Sequence, residues 1–349
     1  MNNNIGNILT RKQYISFLSI LSALSVVLLH SNGCFWTVSD ERWWITSNII
    51  QSICYFAVPV FFMIAGSNLL DYQEKYSTKD YFKKRFKKVI IPYIFWTIII
   101  LIYMIITNRF SIKEININLL IDGLLRGTSI INIFWFFPIL ISIYLCIPLF
   151  ASIDKSKKKN ILIYLALIGF IINCFIPFVI KILGLEFGIS IQLYVSLNYL
   201  LYIIIGYLLD KYDMQKRDRI LIYILGIIGL LMHFLGTHFL SLRAGYIVET
   251  FKGYNNVPTV MYSVGIFVFS KEFFKKINSI KLIDIVSKYT FEIYLMHWII
   301  IDCLRRTILV DINTKSIIYR AGIPFVIIPI IILITWLLRK IPIVKKIVP

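Results

Sequence analysis

Long stretches without a charged side chain recur along this chain and restrict what it can fold into. The first is Tyr14–His30, YISFLSILSALSVVLLH, which carries no charge before its final histidine. A helix of this length, rising 1.5 Å per residue, nearly crosses the ~30 Å hydrocarbon layer of a membrane. The composition agrees, since 58% of the residues are hydrophobic and 16% are charged, against about 45–50% and about 25% in soluble domains. The sequence therefore predicts an all-α, polytopic integral membrane protein.

Ten transmembrane helices are predicted, and the charges between them indicate their orientation. The connections predicted on one side are the N-terminus, 71–88, 152–160, 210–219, 271–288 and the C-terminus, and they hold 26 of the 37 Lys and Arg residues. The positive-inside rule then places both termini in the cytoplasm. The same distribution explains the net charge of +19 by contact with anionic lipid head groups, without nucleic acid. The predicted spans, which form one domain over residues 1–349, are 14–31, 47–70, 89–107, 133–151, 161–180, 194–209, 220–240, 257–270, 289–309 and 319–338.

Cysteine and histidine spacings predict no metal site. The five cysteines are scattered without a C-x-x-C pair, so they indicate neither a zinc motif nor a disulfide framework. The four histidines show no metal-ligand spacing either.

The first predicted span carries a stripe of small residues that ends in His30. Ser16, Ser19, Ala23 and Val26 recur at helical spacing, and small residues on one stripe let helices pack closely in lipid. His30 has two interpretations. It is either a helix-end residue in contact with water at the interface, or a functional group facing the bundle, since ionisable residues within membranes are usually functional.

Two outer loops carry patterns of their own. Trp36, Trp43 and Trp44 fit an interfacial aromatic belt, and stacking on a sugar ring is the alternative. In loop 108–132, apolar residues from Ile117 to Leu125 recur at helical spacing. This pattern predicts an amphipathic helix in the interface, ended near Gly127 and able to roof a cavity.

The second predicted span and the loop after it form the next informative stretch. Pro59 interrupts the span and Gly66 lies near its inner end, as occurs where membrane backbone is buried or lines a cavity. The following loop concentrates six basic residues between 79 and 88. One interpretation is an orientation signal that also contacts lipid head groups. The other is an anion site for a nucleotide-like phosphate donor, because guanidinium and ammonium groups suit phosphate oxygens.

Five motifs occur along the chain in an order that is typical of a known family. They are a first span ending in His, VPVFFMIAG, YFKKRFKKVIIPYIFW, FWFFPILISIYLCIP and YTFEIYLMH. Together they resemble the acyltransferase 3 family of membrane O-acyltransferases, from about Arg11 to Arg339. The resemblance implies a multi-pass protein of the plasma membrane that moves an acyl group, often acetyl from acetyl-CoA, to hydroxyls of cell-surface polysaccharides or lipid-linked sugars. Acyl-CoA is then a co-substrate, with no bound cofactor expected.

The family's functional positions match individual residues of this chain. Its first-span histidine matches His30, and its late histidine matches His297. Its basic pair before the third span matches Arg85 and Lys88, with Lys84 beside them as a further donor-phosphate ligand. The Trp–Phe pair of its fourth span matches Trp135 and Phe136, and Trp135 is expected to line the cavity.

The chain departs from the family pattern at two positions of the first span. The family has an arginine eleven residues before the histidine and an acidic residue three before that. Here these positions are Ser19 and Ser16. Ser19 is expected to line the cavity, and Arg85 or Lys88 is the expected replacement for the missing cation.

The resemblance and the residues together favour an enzyme with His30 as general base, because a neutral imidazole can take a proton from a sugar hydroxyl. For His297, a second site residue and a buried structural histidine are both open. Asp302 with Arg305 and Arg306 is interpreted as a structural ion cluster. An exporter of lipid-linked or polymeric sugar, without acyl transfer, is the alternative that the missing arginine favours. A scaffold for a polysaccharide synthase is a third hypothesis.

Overall fold

The structure is a computed structural model that describes residues 2–185, 190–277, 280–342, 344 and 347, with side chains described from residue 13 onward. It is 78% helix, and the described ranges contain no strand. The prediction of an all-α protein is therefore confirmed.

Fifteen α-helices occur in the described part of the chain. Short 3₁₀ segments and two π-helical turns, Phe86–Ile90 and Ile171–Phe175, join some of them. The α-helices are α1 Asn2–Ser31, α2 Arg42–Cys54, α3 Ala57–Leu69, α4 Thr78–Arg85, α5 Ile91–Ile106, α6 Ile117–Arg126, α7 Phe136–Ala151, α8 Lys155–Phe170, α9 Ile176–Ile182, α10 Tyr199–Lys211, α11 Lys216–Ala244, α12 Val257–Phe274, α13 Lys281–Val286, α14 Thr290–Thr307 and α15 Ile317–Leu338.

Seven helical stretches of the described chain are long and apolar enough to cross a membrane, so the chain is a multi-pass membrane protein. Each coincides with one of the ten predicted spans. They are Gln13–Ser31, Arg42–Glu74, Thr78–Ile106, Asn132–Ala151, Lys155–Ile182, Lys216–Ala244 and Ile317–Leu338.

The other three predicted spans fall on α10, α12 and α14, and the count of ten is not confirmed. α10 has 13 residues, which is about 20 Å of helix and too short for the hydrocarbon layer. α12 and α14 have 18 residues each and carry charged side chains near their ends. The three further spans therefore remain predictions.

Contacts divide the chain into two compact units, and the prediction of a single domain remains a prediction. The first unit comprises Met1–Leu69, Ile153–Thr290 and Asn313–Pro324. Within it, α3 packs against α1 and α10, and α11 packs against α12 and α2. The small-residue stripe of α1 supports this packing, since Ala23 and Val26 are 1% and 3% exposed.

Close packing of α3 on α10 depends on two glycines. A Cβ atom on Gly66 would lie 2.0 Å from the carbonyl oxygen of Ile203, and one on Gly206 would lie 2.2 Å from that of Met63. Ser67 Oγ also donates to the Gly206 carbonyl at 3.0 Å. The backbones of the two helices are therefore in direct contact, as small residues permit in membranes. The predicted burial of backbone near Gly66 is found here.

The first prediction concerns this contact. We expect Gly206→Ala to lower the free energy of unfolding by about 1–3 kcal/mol, because the added methyl overlaps backbone atoms that cannot rotate away. Thermal unfolding of the purified protein in detergent measures the change. The matched control is Gly322→Ala in α15, where no neighbouring described atom lies within 4 Å of the new Cβ. Alanine favours a helix by about 1 kcal/mol over glycine, so the control is neutral or stabilised. Equal melting temperatures for the two variants would contradict the prediction.

The second unit comprises Leu70–Ser152, Phe291–Ile312 and Phe325–Pro349. Aromatic rings from α5, α7 and α14 form its centre: Tyr93 stacks on Phe137 at 4.6 Å, and Tyr294 lies 5.6 Å from Phe137. Tyr93 Oη donates to the Gly123 carbonyl at 3.1 Å and so holds α6 against α5. The helix α6 ends at Gly127 with φ of 67°, a left-handed cap that glycine adopts without strain. The predicted end of this amphipathic helix is confirmed.

Asp302 is the centre of an ion cluster in the second unit. Its carboxylate accepts from Tyr103 Oη at 2.8 Å and from Arg306 Nε at 3.0 Å. Arg109 is its second cationic partner. The predicted ion pair of Asp302 with Arg306 is therefore present. Among the described contacts, the second cation beside Asp302 is Arg109 and not the predicted Arg305.

Candidate functional site

His30 lies in the last turn of α1, and its side chain is exposed. The chain changes direction directly after it. Ser31 and Asn32 are 4% and 0% exposed, and a 3₁₀ turn, Gly33–Trp36, follows. An accessible imidazole next to a buried polar anchor can be held in position while it contacts a substrate.

Asn32 anchors the chain after His30 to the start of α2. Its Nδ2 donates to the Ser47 carbonyl at 2.8 Å, and its Oδ1 accepts from Ser47 Oγ at 2.8 Å. Both residues are 0% exposed. Since buried polar groups are costly unless they are paired, these reciprocal bonds define the geometry of the turn.

Arg320, at the start of α15, holds the same segment from the other side. It is 1% exposed. Its guanidinium donates from Nη1 to Asn32 Oδ1 at 3.3 Å, from Nη2 to Thr46 Oγ1 at 2.8 Å and from Nε to the Lys315 carbonyl at 3.1 Å. Its own carbonyl accepts from Ser31 Oγ at 2.9 Å.

No carboxylate pairs with Arg320 in the described part of the chain; its hydrogen-bond partners are neutral oxygens. Burial of a guanidinium without a counter-charge is costly, and this one lies beside the segment that follows His30. The sequence analysis missed this residue. A signal was present, because an arginine is the second residue of the predicted span 319–338, and ionisable residues within spans are rare and usually functional.

Ser19 occupies the position at which the acyltransferase 3 pattern has an arginine. It is half-buried, and its Oγ donates to the Ile15 carbonyl one turn earlier, at 2.9 Å. Its hydroxyl is thus used within its own helix. Its proposed place in a cavity wall remains a prediction.

In the second unit, the basic residues Lys84, Arg85 and Lys88 lie where α4 passes through a π-helical turn toward α5. Arg85 is half-buried between two tyrosine rings, with its Cζ 5.8 Å from the Tyr81 centroid and 5.5 Å from the Tyr144 centroid. Its Nε is buried and has no hydrogen-bond partner in the described structure. Lys84 and Lys88 are exposed, and Lys84 Nζ lies 3.6 Å from the Tyr76 ring. An exposed pair beside a pre-positioned guanidinium is chemically suited to phosphate.

His297 and Trp135 also belong to the second unit. His297 is 0% exposed, and its Nδ1 donates to the Tyr294 carbonyl at 2.7 Å. This bond to its own helix supports the structural interpretation, although a second role stays open. Trp135 is half-buried and packs edge-on against Phe136 at 6.4 Å.

The remaining histidines have no predicted role. His233 is buried on α11, with Nδ1 3.0 Å from Ser52 Oγ, and His238 stacks on Trp44 at 5.4 Å. No group of three or more His, Cys, Asp or Glu residues in the described ranges is placed to hold a metal ion.

A family model described as an acyltransferase domain, that of the acyltransferase 3 family, matches residues 12–339 of the chain. The comparisons with curated proteins and with solved structures found no match. The family match includes His30, Arg320, the basic turn and His297.

Proposed function

Because the chain belongs to the acyltransferase 3 family, we propose that this membrane acyltransferase moves an acyl group from acyl-CoA, with acetyl-CoA as the expected donor, to a hydroxyl of a cell-surface polysaccharide or lipid-linked sugar. The observation that carries the proposal is a match over nearly the whole chain that keeps a histidine at the exposed end of α1. In this proposal the protein lies in the plasma membrane, and the positive-inside rule places both termini in the cytoplasm.

His30 acts as the general base in this proposal. A sugar hydroxyl attacks the thioester carbonyl as the imidazole takes its proton. The C–S bond then breaks, and the imidazolium gives that proton to the departing thiolate of CoA. Proton transfer by a positioned imidazole accelerates such steps by typically 10²–10⁴-fold. The anchor formed by Asn32 and Arg320 would keep His30 in reach of the hydroxyl.

The basic turn is the proposed donor site. Lys84, Arg85 and Lys88 would bind the phosphates of acyl-CoA from the cytoplasmic side. We expect the triple variant Lys84→Gln, Arg85→Gln, Lys88→Gln to weaken acyl-CoA binding in purified protein by at least about tenfold, since charge-assisted bonds to phosphate are lost. Affinity of the unmodified protein should also fall with added salt, because these charges are near water.

The control for that variant removes three basic residues from another predicted cytoplasmic segment: Lys155→Gln, Lys157→Gln, Lys159→Gln. It should retain acyl-CoA affinity and membrane insertion. If both triple variants bind the donor as the unmodified protein does, the basic turn serves orientation and lipid contact only.

Mass analysis of surface glycans from a strain that lacks the gene tests the proposed function. The expected result is an intact glycan that lacks an acyl mass increment, restored by the wild-type gene. The uncharged pair Ser16 and Ser19 favours the alternative, an exporter of lipid-linked or polymeric sugar. Loss of the glycan from the surface, with its acylation unchanged inside the cell, would replace the enzyme by that exporter.

A further inference from the structure

Lys252 lies between α11 and α12, in the first unit, and is buried although it carries a charge. Its side chain is 1% exposed. Three aromatic rings cover its ammonium: the distances from Nζ to the ring centroids are 5.4 Å for Phe35, 4.3 Å for Trp36 and 4.4 Å for Tyr55. Ring faces attract a cation, and more strongly when water is excluded.

The ammonium is poorly neutralised by the protein. The carboxylate near it is that of Glu249, whose Oε1 is 3.9 Å away and whose side chain is 61% exposed. In the described part of the chain, Nζ makes no hydrogen bond to an oxygen atom. An ammonium has three donors, and in the described structure no hydrogen bond to a protein oxygen takes them up. Burial lowers the pKa of Lys252 to about 8, and the side chain therefore still carries its charge at neutral pH.

The ring on the open side is Trp36, which is 57% exposed. The rings behind it are fixed. Trp44 is 0% exposed, and its Nε1 donates to the Phe35 carbonyl at 2.9 Å, while Tyr55 stacks on Tyr254 at 4.4 Å. Trp44 is therefore a core residue and does not belong to an interfacial belt. Trp36 presents an open ring beside a charged donor, on a support that packing holds rigid.

An open indole face with an adjacent ammonium suits one ligand chemistry. The C–H face of a sugar ring packs against an aromatic ring, and a carboxylate or phosphate on that sugar makes charge-assisted bonds to the ammonium, which are about twice as strong as neutral ones. Trp36 also follows His30 by six residues, on the segment that Asn32 and Arg320 anchor.

We propose that Trp36 and Lys252 form a subsite for an acidic sugar of the acceptor, in which the sugar ring stacks on Trp36 and its carboxylate or phosphate binds Lys252. This proposal rests on the proposed function, because it names the acceptor class as an anionic glycan. A phospholipid head group shares the phosphate chemistry, and the experiment separates the two sources.

The experiment measures binding of small sugars to purified protein in a neutral detergent, without any acyl donor. The ligands are methyl glucuronoside, glucose 1-phosphate and the neutral methyl glucoside. We expect the two acidic sugars to bind at least about tenfold more tightly than the neutral one. Lys252→Gln should remove this difference, and Trp36→Ala should weaken all three sugars. The matched control is Lys340→Gln, an exposed lysine 3.5 Å from the Trp336 ring, which should change nothing.

A pH series tests whether the charge on Lys252 causes the preference for acidic sugars. Between about pH 7 and about pH 9.5 a lysine with a pKa near 8 loses its proton, so the preference for acidic sugars should disappear in the unmodified protein. Lys252→Arg keeps its charge and should keep the preference. His233 faces Lys252 from α11 and Glu249 lies on the same segment. Tyr55 also faces Lys252, and Tyr254 stacks on its ring.

Three outcomes overturn the subsite. In the first, the unmodified protein shows no preference for acidic sugars. In the second, Lys252→Gln keeps that preference. In the third, anionic phosphatidylglycerol in phosphatidylcholine nanodiscs displaces all sugar binding through Lys252, and the occupant is then a lipid head group. Failure of the proposed function looks different. In that case no acyl transfer is detected, but binding of acidic sugars still depends on Lys252.

Discussion

We expect replacement of His30 by alanine to lower acyl transfer by about 10²–10⁴-fold, the contribution of a general base, while the protein stays folded and inserted. His30 is exposed in the last turn of α1, so its loss leaves no large hole in the core. Acylation of the surface glycan in cells that carry only the variant measures the effect, and thermal unfolding of the purified variant measures its stability.

His238→Ala is the control for His30→Ala. His238 is a half-buried imidazole in the same unit, stacked on Trp44, and has no part in the proposed chemistry. Its variant should transfer normally. Glycan acylation at the wild-type level in His30→Ala would remove His30 from the mechanism, and with it the central residue of the proposed function.

Replacing Arg320 by methionine should reduce kcat about 10²-fold and leave the affinity for acyl-CoA unchanged. Two effects on stability oppose each other. Removal of a buried charge relieves its desolvation cost, whereas Thr46 and the Lys315 carbonyl lose their donor, at about 1–3 kcal/mol for a buried group left unpaired. The net change in unfolding free energy is therefore modest. The turn after His30 loses its clamp, and a displacement of about 1 Å at a reacting group can reduce a rate about 10²-fold.

The control for this variant is Arg243→Met, which removes an exposed arginine of α11. Steady-state kinetics and thermal unfolding are measured on both. Arg320→Lys keeps the charge without the planar fork and should restore the rate only in part. If Arg320→Met transfers at the normal rate although it melts earlier, Arg320 stabilises the fold and does not position His30.

Local pattern was sufficient to place three features along the chain, while the catalytic and binding roles of the predicted site residues stay predictions. His30 at the end of the first span, the basic turn and the end of α6 at Gly127 all depend on residues within a few turns of one another. The interpretation of Trp44 as an interfacial ring failed, because the local sequence does not distinguish the exposed ring of Trp36 from the buried ring of Trp44. Which ring is covered depends on α11 and on the segment around Lys252, far away in the chain.

The sequence by itself determined the class of this protein: an all-α membrane protein of the acyltransferase 3 family, with a histidine at the end of its first span. Hydropathy, helical period and short motifs are local properties, and each can be read from neighbouring residues. Only the tertiary structure decided the surroundings of that histidine. Arg320 reaches Asn32 across 288 residues of sequence, and Lys252 enters its aromatic box only because helices from distant parts of the chain pack together. Burial and pairing of a charge depend on all the elements around it, so they follow from packing and not from any single stretch of sequence.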